Sequence, residues 1–501
     1  MIRASSITGT LLVGLCTISR VIVADGLQTG QRARPVGAEQ RTASRFEQLR
    51  RDPPALRAFL RRMPKGADLH MHLTGAVYAE SYVRWAAEMP LCIDTATFGF
   101  VEGRRGVAST DGASVVTCAQ PDSQRPAAEA LTDPALYRSV IDAASTRFWD
   151  PTATPGHYRF FDSFRRFGLV AREDRGAEGV ARAIVEVVER AARQNVDHIE
   201  LMMAFGAAEA TQVDVTAGTE ALFAAARAQL LDGDIRTRVA DRRGWLDAIE
   251  RARLQRLRCA GTDAMRGCEV SVRYMPYALR GLPPAQVFAD ALFSFELAAA
   301  DVRTAGVNLV MPEDWFIPMR DHDLHTRMYR FFRRRYPTVG VALHAGELAF
   351  GLVPAEELGR HVRAAVEIAG ADRIGHAADL MYDDDHAGLL QEMARRGIAV
   401  EVSLSSSDII LGLRGTKHPL RHVLRASVPV VIATDDEGVA RSDPTNEYQR
   451  AVEEHGLDYR AIKQISRNSI RYSFLLPDDK RHALNRLDAA FAAFESSQRS
   501  P

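Results

Sequence analysis

Residues 66–75 read GADLHMHLTG, a short run of Leu, Met and Ala carrying two imidazoles, His70 and His72, one residue apart. In a strand, residues two apart face the same side, so both rings point into the interior or both point out. A plain core strand has no use for two such side chains. A metal ion shared at the strand's end does.

Beyond this stretch, seven more β-branched or apolar runs follow, at 196–203, 268–275, 306–311, 339–346, 372–378, 398–405 and 428–436. Amphipathic segments rich in Ala and Arg, such as GVARAIVEVVERAARQN, separate them. Strand alternating with helix predicts parallel strands joined by right-handed crossovers. Eight such units predict an α/β fold, a closed (β/α)8 TIM barrel. One interval breaks the rhythm, because residues 74–195 hold far more than one helix. A large insertion after strand 1, at about 89–135, is expected there, and loops on that side of a barrel overhang the catalytic mouth.

The chain has 501 residues, with Lys+Arg and Asp+Glu both 64, so its formal charge is zero. Such a balance argues against nucleic acid and leaves a small molecule as the expected partner. It sets no oligomeric state. Residues 1–24 read as a signal peptide, with Arg3, a run of small and apolar residues, and Ala24 as the cleavage site. An exported protein, periplasmic or secreted, is therefore expected, with no membrane contact after signal removal. Residues 25–62 read as an N-terminal extension with helices, 63–480 as the barrel, and 481–501 as a C-terminal helix and tail. Removing the signal removes Cys16 and leaves Cys92, Cys118, Cys259 and Cys268. In an oxidising compartment Cys92–Cys118 and Cys259–Cys268 could each close a loop. Four free thiols are the alternative.

The other strand ends extend the opening motif. Strand five ends LHAGE, giving His344 and Glu347; strand six ends IGHA, giving His376; strand eight ends ATDDEG, giving Asp435 and Asp436. Polar, titratable residues thus close four apolar runs at the face where barrel enzymes do chemistry. Three imidazoles and one carboxylate suit Zn²⁺ and leave a position for water, so His70, His72, His344 and Asp435 form the expected ligand set for one ion per chain. Such an ion lowers the pKa of its water to about 7. Glu347, His376 and Asp436 remain for proton transfer and substrate contact. The serines 405–407 read as a turn rather than as nucleophiles. Strand four has no lysine to bridge two metals, and the P-C-x-x-C of cytidine-type deaminases is absent.

Taken in order, MPKGADLHMHLTGAVY, LHAGE, RIGHA and TDDEG resemble the adenosine deaminase family of metal-dependent barrel deaminases. The likeness runs over about residues 60–475 and is nearest the secreted, growth-factor-like branch and bacterial relatives. It implies zinc held by His70, His72, His344 and Asp435. It also implies Glu347 as the acid that protonates purine N1 while C6 is attacked, His376 as the residue that orients the nucleophile, and Asp436 as the group on N7. The implied reaction turns adenosine, and 2′-deoxyadenosine, into inosine or deoxyinosine and ammonia. An AMP or other aminopurine deaminase, or a catalytically weak extracellular nucleoside-binding protein, is the alternative.

Around the base, the resemblance implies a substrate shell of Thr74, Gly346, Glu313, Phe161 and Phe164, with Phe160 beside them in HYRFFDSFRRFG. Several positions depart from the pattern of many relatives. Thr74 replaces an acid that contacts the sugar hydroxyl, Met311 replaces a glycine near the base, VSLSSSD replaces a Pro- and Asn-containing ending, and Glu437 replaces a proline.

Overall fold

The computed structural model describes residues 37–105, 116–172, 176–206 and 213–498. The expected signal peptide lies outside the described residues. Eight strands follow one another around a single sheet: β1 (Gly66–His72), β2 (Val196–Met203), β3 (Ser271–Leu279), β4 (Gly306–Val310), β5 (Gly340–Ala345), β6 (Arg373–His376), β7 (Ala399–Val402) and β8 (Val430–Ile432). Every neighbouring pair is parallel. The ring closes at the motif that opened the sequence. His72 N donates to Asp435 O at 3.0 Å, and Asp435 N donates to His70 O at 2.9 Å. The (β/α)8 barrel expected from the strand–helix rhythm is the fold observed.

Strands β6, β7 and β8 are buried at every residue, as parallel strands covered by helices on one face and barrel interior on the other must be. The expected third strand, 268–275, begins later, at Ser271. A 3₁₀ turn over Arg266–Glu269 occupies its first residues, and Cys268 within that turn is bonded to Cys259. The serine run is not a turn either. Ser405, Ser406 and Ser407 lie buried in α3 (Leu404–Leu411), whose first amides are held by Glu447, at 2.8 Å from Leu404 N and 3.1 Å from Ser405 N. A carboxylate receiving the free N–H groups of a helix start makes that helix begin inside the run.

Between β1 and β2 lie a four-stranded antiparallel sheet (Leu91–Asp94, Phe100–Arg105, Val116–Cys118, Gln124–Pro126), pinned by the Cys92–Cys118 bond, and then two long helices, α1 (Gly156–Ala171) and α2 (Ala177–Arg193). The helices Ala38–Leu49 and Pro53–Arg62 join the C-terminal helix Pro477–Ser497 in an aromatic cluster. Phe59 stands 5.4 Å from Phe46 and 5.0 Å from Phe494, ring centre to ring centre. From Ala38 onward the chain is one compact unit. Among the described residues no helix is long and apolar enough to cross a membrane.

Candidate active site

A pocket of about 250 Å³ opens at the C-terminal ends of the strands. His72, His344, Glu347, His376, Asp435 and Asp436 line it, so residues from four strand ends meet as their spacing predicts. The ring of His70 lies just beneath, fully buried.

Three donor separations describe the cluster. His72 Nε2 and His344 Nε2 face each other at 3.2 Å, and Asp435 Oδ1 stands 3.5 Å from both His70 Nε2 and His72 Nε2. Ligands about 2.1 Å from one tetrahedral ion sit about 3.4 Å apart, so these separations fit the edges of a single coordination shell. His70, His344, His376 and Asp435 each offer a ligand atom within 4.8 Å of the others, as do His72, Asp435 and Asp436. The outward nitrogens are fixed from behind. His70 Nδ1 pairs with Glu401 at 2.6 Å and His344 Nδ1 with Asn308 Oδ1 at 2.9 Å, which directs each Nε2 into the cluster. His70 Nε2 has no protein partner although it is buried. A buried nitrogen without a hydrogen-bond partner, set among the other donors, fits a cation.

Protonation agrees with this fit. Burial lowers His72 and His376 to about 4 and His344 well below its ordinary value, so these imidazoles are neutral with lone pairs available. His70 differs: burial would lower it, but the Asp435 and Glu401 carboxylates push it up to about 10.

Glu347 and Asp436 are carboxyls in a dry, already negative place. Burial, then Asp435 and Glu313, raises Glu347 well above the usual range; burial and Asp435 do the same for Asp436. Glu347 Oε1 and Asp436 Oδ1 are buried without a partner, and so are both nitrogens of His376, which stands 3.6 Å from Glu347. Glycine makes room for this crowding. A Cβ on Gly75 would lie 1.6 Å from Asp436 Oδ1, and one on Gly375 would lie 2.7 Å from His70 Cε1. Strained backbone collects here too. Met311, His376 and Asp435 have φ of 96°, 68° and 59°, a region that side chains rarely occupy and that concentrates at functional sites.

The structure divides the expected substrate shell. Thr74, Phe161 and Phe164 line the pocket, as do Phe160 and Met311. Helix α1 brings the phenylalanines there, its first turn tied to the loop after β4 by His157 and Asp314 at 3.0 Å. Among the described residues the disulfide-bonded sheet, expected to cover the mouth, contributes none to the lining; α1 does that instead. Glu313 is not on the wall. Its carboxylate accepts from the amides of Gly346 (3.2 Å) and Glu347 (2.9 Å), pairs with His361, and lies 3.5 Å from Arg280. With its lone pairs so engaged, Glu313 positions the loop bearing Glu347 and leaves nothing for a ligand. Gly346 is likewise off the wall. At φ 75° it turns toward Asp379, whose Oδ1 would lie 2.3 Å from an added Cβ. Glu437, in the place of a proline, is buried and takes Arg190 Nε at 2.7 Å, joining the loop after β8 to α2.

Known proteins now bear on this geometry. The family model described as adenosine deaminase matches residues 140–490, well over half of the chain. The chain belongs to the adenosine deaminase family. The adenosine deaminase of Edwardsiella ictaluri is 31% identical over 195 residues, 38% of this chain and 51% of that protein. The aminodeoxyfutalosine deaminase of Streptomyces coelicolor is 34% identical over 128 residues, 25% of this chain and 32% of that protein. The chain thus matches about half or less of the length of these curated relatives. In fold it is similar to a zinc-bound amidohydrolase from Burkholderia ambifaria (TM-score 0.54, 19% identity, 88% of this chain and 95% of that one). It is also similar to the N6-methyl-AMP deaminase of Arabidopsis thaliana (TM-score 0.51, 17% identity, 87% and 98%).

Within this adenosine deaminase family member, sequence reasoning missed the residues behind the donors: Asn308, Glu401, and Arg373, which binds Glu401. Their signal is a polar residue inside an apolar strand, as in VNLV and VEV.

Proposed function

We propose that this chain is a zinc-dependent hydrolase that deaminates adenosine, and 2′-deoxyadenosine, to inosine or deoxyinosine and ammonia. The observation that carries the reading is the donor spacing of 3.2, 3.5 and 3.5 Å beside two buried carboxyl oxygens, Glu347 Oε1 and Asp436 Oδ1, that have no hydrogen-bond partner. His70, His72, His344 and Asp435 would hold the ion, with Zn²⁺ favoured by their nitrogen and oxygen donors. When bound, such an ion supplies a polarised water as the nucleophile.

The chain's own groups do the rest. Attack at C6 drives electrons into the ring, which accepts them only if N1 gains a proton. Glu347, held protonated by its dry and negative surroundings, is the group that gives it. His376, a neutral imidazole 3.6 Å from Glu347, orients the nucleophile and takes up its proton. Ring N7 offers only a lone pair, so its partner must bring a hydrogen; Asp436, with its raised pKa, brings one. Phe161 and Phe164 pack against the base. The two disulfides support export to an oxidising compartment.

Ammonia release from adenosine, deoxyadenosine, AMP and adenine, each with and without a chelator, tests the reading. Chelator-sensitive release from the two nucleosides is expected. Release from AMP alone would make it a nucleotide enzyme. No release from any aminopurine by the zinc-loaded protein would leave a nucleoside binder.

A further inference from the structure

The loop that follows β5 leaves the barrel at Gly346 and Glu347 and returns at Gly359, where the short helix Arg360–Ala364 begins. Both feet of this loop are held by carboxyls from the neighbouring strand ends. Asp379, three residues past β6, donates its own amide to Gly346 O at 3.0 Å and takes Gly359 N on Oδ2 at 2.8 Å. Glu313, three residues past β4, takes the amides of Gly346 and Glu347 and pairs with Nδ1 of His361. The candidate catalytic acid therefore hangs from a backbone whose placement depends on where the Glu313 carboxylate points.

Two side chains set that direction. Arg280 lies 3.5 Å from Glu313 and is itself fixed by Leu309 O at 2.6 Å and His344 O at 2.8 Å. His361 is the second. It is 2% exposed, and its ring lies flat against His322, with centres 3.7 Å apart and planes 6° from parallel. Burial would raise Glu313, but Arg280 and His361 hold it well below the usual carboxylate range. An ionised carboxylate only accepts, so Nδ1 of His361 carries the hydrogen of this bond. The stack on His322 needs only a flat ring. The hydrogen bond needs a donor at one place in it, and this difference separates packing from positioning.

We propose that His361 is a positioning residue for deamination: through Glu313 it sets the backbone of Glu347, and so the direction in which that carboxyl offers its proton. The proposal rests on the deaminase reading, which names Glu347 as the acid. A reacting group misplaced by about 1 Å costs on the order of 10²-fold in rate. His361 is neither an expected ligand nor part of the pocket wall, so the cost should fall on turnover and spare zinc and substrate affinity.

Steady-state kinetics with adenosine, zinc content, and hydrogen exchange of peptides containing residues 346 and 347 test it on the zinc-loaded protein. His361→Phe keeps a flat ring for His322 and removes the donor. His361→Leu removes the donor too and stands in if the phenylalanine does not fold. His361→Asn puts an amide N–H close to the place of Nδ1. Without the donor, kcat is expected to fall by about 10–10²-fold with KM and zinc little changed, and exchange at the start of the loop to quicken. His361→Asn should recover most of kcat. Adding the donor-less change to Glu313→Gln should cost little beyond Glu313→Gln alone, because both break one link. Wild-type kcat without the donor, His361→Asn as slow as His361→Phe, zinc lost along with kcat, or losses that add in the double variant overturn the proposal while deamination stands. No ammonia from the wild type, with exchange quickened by loss of the donor and slowed again by His361→Asn, overturns the deaminase reading and leaves His361 as the residue that orders Glu347.

Discussion

Two layers of polar residues fill the inside of this barrel, both taken out of solvent and opposite in character. In the lower one Arg373, 1% exposed, gives Nη2 to Glu200 at 2.6 Å, Nε to Glu401 at 2.5 Å and Nη1 to Tyr472 O at 2.9 Å, over the ring of Phe474. Glu200 accepts from Phe474 N as well, at 2.5 Å. One layer up, His376, Glu347 and Asp436 keep buried atoms with no hydrogen-bond partner. Burial alone therefore does not mark a site. Partnered charges hold a structure, whereas partnerless ones gathered at a pocket mark a place for a ligand. His70 belongs to both layers, with Nδ1 on Glu401 and Nε2 unpartnered toward Asp435.

The comparison breaks most visibly in the upper layer. Asp435→Ala removes a ligand and is expected to abolish zinc content by mass spectrometry, with turnover falling by on the order of 10⁴-fold or more. Retained zinc and activity would return the upper layer to ordinary core. Glu347→Gln comes next. It keeps size and one hydrogen-bonding edge but cannot give up a proton, so turnover should fall by about 10²–10⁴-fold with zinc unchanged. Full activity would reassign the acid.

These residues were legible in the sequence because period-2 spacing and strand ends place them without knowledge of the packing. His70 and His72 could be assigned to one face, and His344, His376 and Asp435 to one mouth, from the strand pattern alone. The lower layer was illegible for a related reason. Glu200, Arg373 and Glu401 lie in three different strands far apart in sequence, and only the closed ring shows that these strands bring them together. Glu313 misled because its neighbours in sequence are pocket residues, whereas its actual partners, His361 and Arg280, come from elsewhere in the chain. Helix α3 replaced an expected turn because Glu447, distant in sequence, takes the first amides of that helix.

Glu401 is where the two layers can be uncoupled. Glu401→Gln keeps a hydrogen-bond acceptor for His70 but removes the charge that both His70 and Arg373 use. Metal affinity is expected to fall by about 10–100-fold, read by competition with a chelator, without the complete loss of Asp435→Ala. Unchanged affinity would make Glu401 a member of the lower layer alone.

The smallest effect sharpens the contrast through pH. Burial would raise Glu200, but Arg373 and His198 lower it to about 2 from the ordinary 4.5. Between these values the unfolded chain holds the proton and the folded one does not, so stability rises with pH. The contribution is complete above about 4.5 and is lost as pH falls toward 2. Glu347 has the opposite sign. Its raised pKa makes the folded state the better proton binder above 4.5, so its contribution falls as pH rises through that value. Thermal midpoints across this range should therefore show a flatter acid limb for Glu200→Gln than for the wild type, and a gentler decline above pH 4.5 for Glu347→Gln. Parallel curves for all three proteins would mean that the two layers do not differ in how they hold protons, and the distinction between a satisfied layer and an unsatisfied one would lose its electrostatic basis.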